Sequence, residues 1–328
     1  MSASADIEPL RGERLFEPFL DPVDGALCVE AGVPLSEVAR EAASGGMRFP
    51  LVLDANASLA KHLEAAWYAP ASHRFGSFCD NVLGMNWRLP DGRTLRVGER
   101  VAKTTTGYDW LRFLLHTGTR FGEATHYVIR LRPECAFSAV AFLEGGGDPL
   151  RACVSELLHG AWMHWWESID FLPGAPGGPG GTGGTLRVGV HCPLNEAPAF
   201  EAELRRVASV HSLSVRWEAA TPVPHAGVPD FALKTTPDRA MRLAADVARN
   251  GAERVVAFCY HGVVHGCLGP GQNVADVIAP FEAALWEVGG DWHSRHPVLP
   301  RLQQAEACWM KVLEPVLRGM EEVHHGSF

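Results

Sequence analysis

Apolar residues return along most of the chain either at every second position or every three to four, and the switches between these periods divide it into short strands and helices. The stretch ALCVEAGVPLSEVAREAASGGMRF, residues 26–49, predicts a strand, a turn at Pro34, and a helix capped at Ser36 and closed by Gly45 and Gly46. Between Asn81 and Pro133 the pattern gives a strand (VLGMNWRL), a hairpin turn at Asp91-Gly92 and a second strand (TLRVG). A polar connection, a helix around Tyr108 to Leu115 and a strand (ATHYVIRLRP) follow. Before residue 26, Pro and acidic residues without periodicity read as an N-terminal arm, residues 1–25.

Beyond Pro133 the pattern reads strand (AFSAVAFLE), helix (DPLRACVSELLHG), strand (ESIDFL), strand (TLRVGVHC), helix (NEAPAFEAELRRVASVHS) and strand (LSVRWEA). That β-α-β-β-α-β order is a ferredoxin-like split unit. Between its middle strands lies PGAPGGPGGTGG, residues 173–184, whose composition predicts a flexible hairpin loop. The loop spells G-x-G-x-x-G at Gly178, Gly180 and Gly183, but a dinucleotide site needs a helix to open after it, and here a strand follows. The last part predicts a helix (PDRAMRLAADVARNG), one apolar strand (RVVAFCYHGVV), a helix (NVADVIAPFEAALWEVGG) and a closing helix (RLQQAEACWMKVLEPVLRGMEEV).

Composition narrows the possible chemistry. A chain of 328 residues, 47% hydrophobic and 20% charged, is large enough for two domains with cores. The formal net charge of -9, with no run of Lys and Arg, argues against nucleic acid as a partner. No stretch of about 18 apolar residues and no basic, then apolar leader is present, which reads as a cytoplasmic chain without a transmembrane segment. The eight cysteines are dispersed without a CxxC pair, so reduced, mostly buried thiols are expected rather than a zinc or iron-sulfur site.

Four motifs in one stretch, residues 78–133, carry a family resemblance. They are Asp80 with Val82, Leu83 and Gly84; Asp91, Gly92 and Arg93; Lys103 with Gly107, Tyr108 and Asp109; and Gly118, Thr119 and Gly122. In this order and spacing they resemble the second flavin-domain segment of FAD-linked oxidases of the vanillyl-alcohol oxidase (PCMH-type) superfamily, especially the D and E subunits of bacterial glycolate oxidase. The resemblance extends over residues 26 to 318. It implies an α+β fold with a truncated PCMH-type flavin-binding lobe, residues 26–133, followed by residues 134–328 as a cap domain with a ferredoxin-like core and a C-terminal helix. It implies FAD as cofactor, held by Lys103, Gly107, Tyr108, Asp109, Gly118, Thr119 and Gly122.

The glycine pattern departs from that resemblance. Backbone amides can approach a diphosphate only where no Cβ intervenes. Where the family has paired glycines on its phosphate side, this chain has ASLAKHLEAAW, with Leu59 to Ala66 reading as helix rather than as an open amide nest. His116 and Thr117 precede Gly118, and Arg120 and Phe121 precede Gly122. The roughly 25 residues before the first matched strand are also too few for the α/β unit that family members place there. FAD binding is therefore expected to be lost or completed by a partner.

Oxidation of a 2-hydroxyacid needs a base beside the hydroxyl and a cation for the carboxylate. In D-type relatives a Glu-His pair follows two glycines; here Gly289 and Gly290 precede Arg295 and His296, which implies His296 as base and Arg295 as carboxylate clamp. The plainer reading makes Trp292, His293, Arg295 and His296 a polar loop before Pro297. His261 and His265, read on one strand, would share a face about 13 Å apart, and no metal is expected. The clustered Trp162, Trp165 and Trp166 read as core or interface, and Lys103 with Asp109 as a structural pair.

Two functions remain open. One is a non-catalytic or partner-dependent subunit, a pseudoenzyme docking a homologous flavoprotein or an iron-sulfur subunit. The other is an active FAD-dependent oxidoreductase for a small 2-hydroxyacid.

Overall fold

The computed structural model describes residues 15–65, 68–100, 110–117, 122–174, 183–219, 228–281 and 292–294. Strands β1 (Phe19–Asp21), β2 (Ala26–Glu30), β4 (Val82–Arg88), β5 (Thr94–Gly98) and β6 (Glu123–Arg130) form an antiparallel sheet in the order β1-β2-β6-β4-β5. A two-stranded ribbon, β3 (Met47–Arg48) with β7 (Arg132–Pro133), runs beside it. Helix α1 (Leu35–Ser44) buries Leu35, Val38 and Ala42, the three- and four-residue spacing of one helical face. Pro34 holds extended backbone before it, so the helix starts at Leu35, and Ser36 is its second residue rather than its cap. The Ser36 amide instead donates to the Ala55 carbonyl at 2.8 Å. At the hairpin, the Asp91 carboxylate accepts from the Arg93 amide at 2.9 Å, an Asx-type closure of the Asp-Gly turn.

The second sheet is antiparallel and eight-stranded, in the order β11-β8-β10-β9-β13-β14-β12-β15. Its strands are β8 (Phe137–Gly145), β9 (Ser168–Pro173), β10 (Gly184–Cys192), β11 (Ser214–Ala219), β12 (Phe231–Lys234), β13 (Arg254–Phe258), β14 (Val263–Cys267) and β15 (Trp292–Ser294). Helices α5 (Gly147–His159), α6 (Ala197–Val210) and α7 (Pro237–Arg249) pack against it, with α5 touching both others. Trp166 is fully buried in this core, edge-on to Phe200 at 5.6 Å, while Trp165 is exposed. Strands β9 and β10 pair directly from Pro173 to Gly184, so the glycine-rich segment joins two strands, and its residues 175–182 lie outside the described ones.

Two expectations are corrected here. The apolar run 254–264 is two strands, β13 and β14, turned back on themselves. Gly262 makes the turn with φ +66, and a Cβ there would meet the Thr235 carbonyl at 2.1 Å, so only glycine fits. Residues 292–294, read as part of a polar loop, pair as an edge strand with β12. Helix α8 (Val274–Ile278) passes at Ala279 into a single 3-10 turn. The rest of the helix expected there, and the closing helix at 301–323, lie outside the described residues.

The two sheets meet through side chains from both. Phe258 and Val263, facing each other across the β13–β14 hairpin, pack into the core beneath the first sheet. Helix α3 (Ser72–Phe75) lies at the same junction. His73 Nε2 is 2.7 Å from the Met163 carbonyl, and the Arg48 guanidinium grips Glu167 with two hydrogen bonds of 3.0 and 2.6 Å.

Candidate functional site

Helix α2 (Leu59–Ala65) occupies the stretch aligned with the family's phosphate-side turn. Leu59 and Leu63 point into the core, and His62 is fully buried. The main-chain donors around it are committed. The Asp54 amide donates to His62 Nε2 at 3.1 Å, Asn56 to the Asp54 carboxylate at 2.9 Å, and Lys61 to Ser58 Oγ at 3.2 Å. Ala57, Leu59, Ala60 and His62 donate to the carbonyls of Asp54, Val33, Ala31 and Ser58. A diphosphate needs several convergent free N–H groups. On this side the described residues do not fit FAD.

The second turn is similarly closed. Ser77 donates from its amide and hydroxyl to Asp80 Oδ2 at 2.9 and 2.7 Å, while Arg112 of α4 (Trp110–Thr117) reaches Asp80 Oδ1 at 3.1 Å. Asn81, fully buried, donates to the carbonyls of Phe75 and Ser77. Gly84, from the matched VLG motif, has Phe16 against it: a Cβ there would meet that ring at 2.9 Å. Asn86 clamps the Phe16 main chain with bonds of 2.9 and 2.8 Å, and Arg96 stacks 4.4 Å from the ring. An open cleft of about 530 Å³ runs along this segment, between Leu15 to Pro18 on one side and Asn86, Thr94, Thr125 and His126 on the other.

Of the residues expected to hold FAD, Gly122 alone is described; its Cβ space is filled by the Arg88 carbonyl, 2.1 Å away. Lys103, Gly107, Tyr108, Asp109, Gly118 and Thr119 lie outside the described residues, and so do Arg295 and His296. Strand β15 brings the chain just before Arg295 to the edge of the second sheet, beside β12.

Side chains that the sequence did not single out, Tyr68, His73, Lys234 and Tyr260, gather around His261 where the sheets meet. Tyr68 stacks on His261 at 4.7 Å, Tyr260 lies edge-on to His73 at 4.9 Å, and Lys234 donates to the Tyr68 hydroxyl at 3.3 Å. His261 Nε2 donates to the Ser72 carbonyl at 2.7 Å, and burial pulls its pKa down. Burial lowers His73 further, to about 4. His261 is therefore in a turn and His265 buried on β14 edge-on to Phe258, so the expected shared strand face does not exist. Among the described residues no group of three or more His, Cys, Asp or Glu is placed to hold a metal. None of their helices is long and apolar enough to cross a membrane.

A family model for the FAD binding domain matches residues 17–98. An uncharacterized FAD-linked oxidoreductase of Mycobacterium tuberculosis is 25% identical over 141 residues, 42% of this chain and 31% of the relative. The mitochondrial D-lactate dehydrogenase (cytochrome) of Arabidopsis thaliana is 24% identical over 139 residues, 42% of this chain and 24% of the relative. The matches thus span a third or less of those relatives. Among solved structures, an alkyldihydroxyacetonephosphate synthase superposes with a TM-score of 0.60 at 10% identity, covering 86% of this chain and 61% of that one, a likeness of fold alone. Residues 17–98 are thus similar to an FAD binding domain, and part of the chain is similar to FAD-linked oxidoreductases.

Proposed function

We propose that the chain is a non-catalytic or partner-dependent subunit of an FAD-linked oxidoreductase that acts on a small 2-hydroxyacid of the glycolate or lactate type. Residues 26–133 would be its flavin-type lobe and 134–328 a cap with a ferredoxin-like core. The observation that carries this reading is the backbone around α2: the amides of Asp54, Asn56, Ala57, Leu59, Ala60, Lys61 and His62, which would greet a diphosphate, already have acceptors inside the protein. The named substrate of the Arabidopsis thaliana relative supports the substrate class. A homologous flavoprotein or an iron-sulfur subunit is the partner such a scaffold would dock, in the cytoplasm.

The FAD binding domain match favours the other reading, a working flavoenzyme with His296 as base and Arg295 as carboxylate clamp. Visible absorbance separates the two. The purified chain is expected to be colourless and to take up no added FAD, and to co-purify with a flavin-bearing or iron-sulfur protein when expressed beside one. A yellow chain holding one FAD per polypeptide on its own would overturn the subunit reading.

A further inference from the structure

Three arginines from separate parts of the sequence surround one phenyl ring. The guanidinium carbons of Arg132, Arg74 and Arg48 lie 5.0, 5.5 and 5.7 Å from the centre of Phe75. Arg48 comes from β3, Arg132 from β7 and Arg74 from α3, and the cluster is closed by Glu167, just before β9, and by His191 of β10. Stacking on a phenyl face offsets part of the cost of crowding cations but leaves their charge unneutralised.

The acceptors are too few. Glu167 is the one carboxylate bound to these arginines among the described residues, and both its oxygens are taken by Arg48. Arg132 donates to the neutral amide of Asn81 at 3.2 Å, and Arg74 to the neutral carbonyl of His191 at 3.3 Å. The Nε–H groups of Arg48 and Arg132 are buried with no acceptor. Glu134 is close by but leans on His191. Burial, then repulsion from Arg130, Arg48 and Arg74, pulls Arg132 down to about 10, a guanidinium short of anionic company.

We infer that Arg74 and Arg132, backed by Arg48, form a binding site for a small oxyanion of the phosphate type at the junction of the two sheets. A tetrahedral dianion matches two guanidiniums without carboxylate partners in both charge and donor geometry. A carboxylate shares this chemistry but carries only one charge, so it is expected to bind more weakly. The site does not depend on whether the chain holds FAD.

The test is calorimetric titration of the full chain with inorganic phosphate, and with acetate, at matched ionic strength against a chloride background. Saturable phosphate binding is expected, at least tenfold tighter than acetate and accompanied by a rise in the melting temperature. Arg132→Gln and Arg74→Gln should each weaken phosphate at least tenfold, while Arg40→Gln, on the exposed face of α1, should leave it unchanged. Because Arg132 is partly buried, the exposed Arg74 provides the variant that keeps the fold. Absence of saturable phosphate binding, acetate binding as tightly as phosphate, or binding indifferent to Arg74→Gln would each overturn the assignment.

Discussion

The His73 ring is fixed between the two sheets, its Nε2 facing the Met163 carbonyl at 2.7 Å and its edge against Tyr260. A carbonyl partner makes Nε2 the protonated nitrogen, and the other nitrogen, Nδ1, is buried with no partner. A proton added there would have no acceptor, so burial holds the pKa near 4 against an ordinary 6.5. Because the folded value is depressed, the associated stability is complete above pH 6.5 and is lost as pH falls towards 4. The difference corresponds to at most about 3 kcal/mol. Burial holds His62, His191 and His261 low as well, which steepens the same acid limb. Urea midpoints measured from pH 7 to 4.5 should fall for the native chain and fall less for His73→Gln; parallel curves would show that His73 does not contribute. Little of this was legible beforehand. SHRF in the sequence has no periodic or motif signal, and the carbonyl that fixes the ring is supplied by Met163, 90 positions away.

Strands β9 and β10 carry an ion pair that their apolar pattern conceals. Asp170 and Arg187 are direct cross-strand partners, joined at 2.9 Å, with side chains only 1% and 5% exposed. Both faces of this part of the sheet are covered, so neither charge can turn to water. Removing one partner leaves the other charge buried, at a cost of about 3–5 kcal/mol. Asp170→Ala should lower the denaturation free energy by about that much, whereas Asp170→Leu combined with Arg187→Met should recover most of it. Equal losses in the two would mean that side-chain volume, not charge, sets the cost. Element positions follow the hydrophobic periodicity closely here: strands over 137–145 and 184–192, and helices over 147–159 and 197–210, lie where it puts them. The β13–β14 turn escaped it because apolar residues continue through Phe258 to Val264 without a break. What turns the chain is the Thr235 backbone lying where a Cβ of residue 262 would be.

At the scale of the molecule, the Arg48 and Glu167 pair ties the ribbon beside the first sheet to the entrance of β9, with both side chains about 16–17% exposed. Two-point contact and partial burial make it stronger than an ordinary surface pair, at about 1–2 kcal/mol. Glu167→Gln should lower the melting temperature and broaden or split the calorimetric transition; an unchanged single peak would show that the hydrophobic contact of Phe258 and Val263 suffices to couple the sheets. The sequence by itself determined most of the longer strands, the positions of α1, α5, α6 and α7, the family resemblance and the helix in place of an open glycine turn, because periodicity and loss of glycine are local properties that persist in any context. Tertiary structure alone decided that the amides of Leu59 and Ala60 find acceptors at Val33 and Ala31 and that of Asp54 at His62, that Phe16 fills the space beside Gly84, and that three arginines share one phenyl ring. Those outcomes depend on which distant segments the packing brings within about 3–6 Å of one another, the reach of hydrogen bonds and cation–π contacts, and spacing along the chain does not encode that.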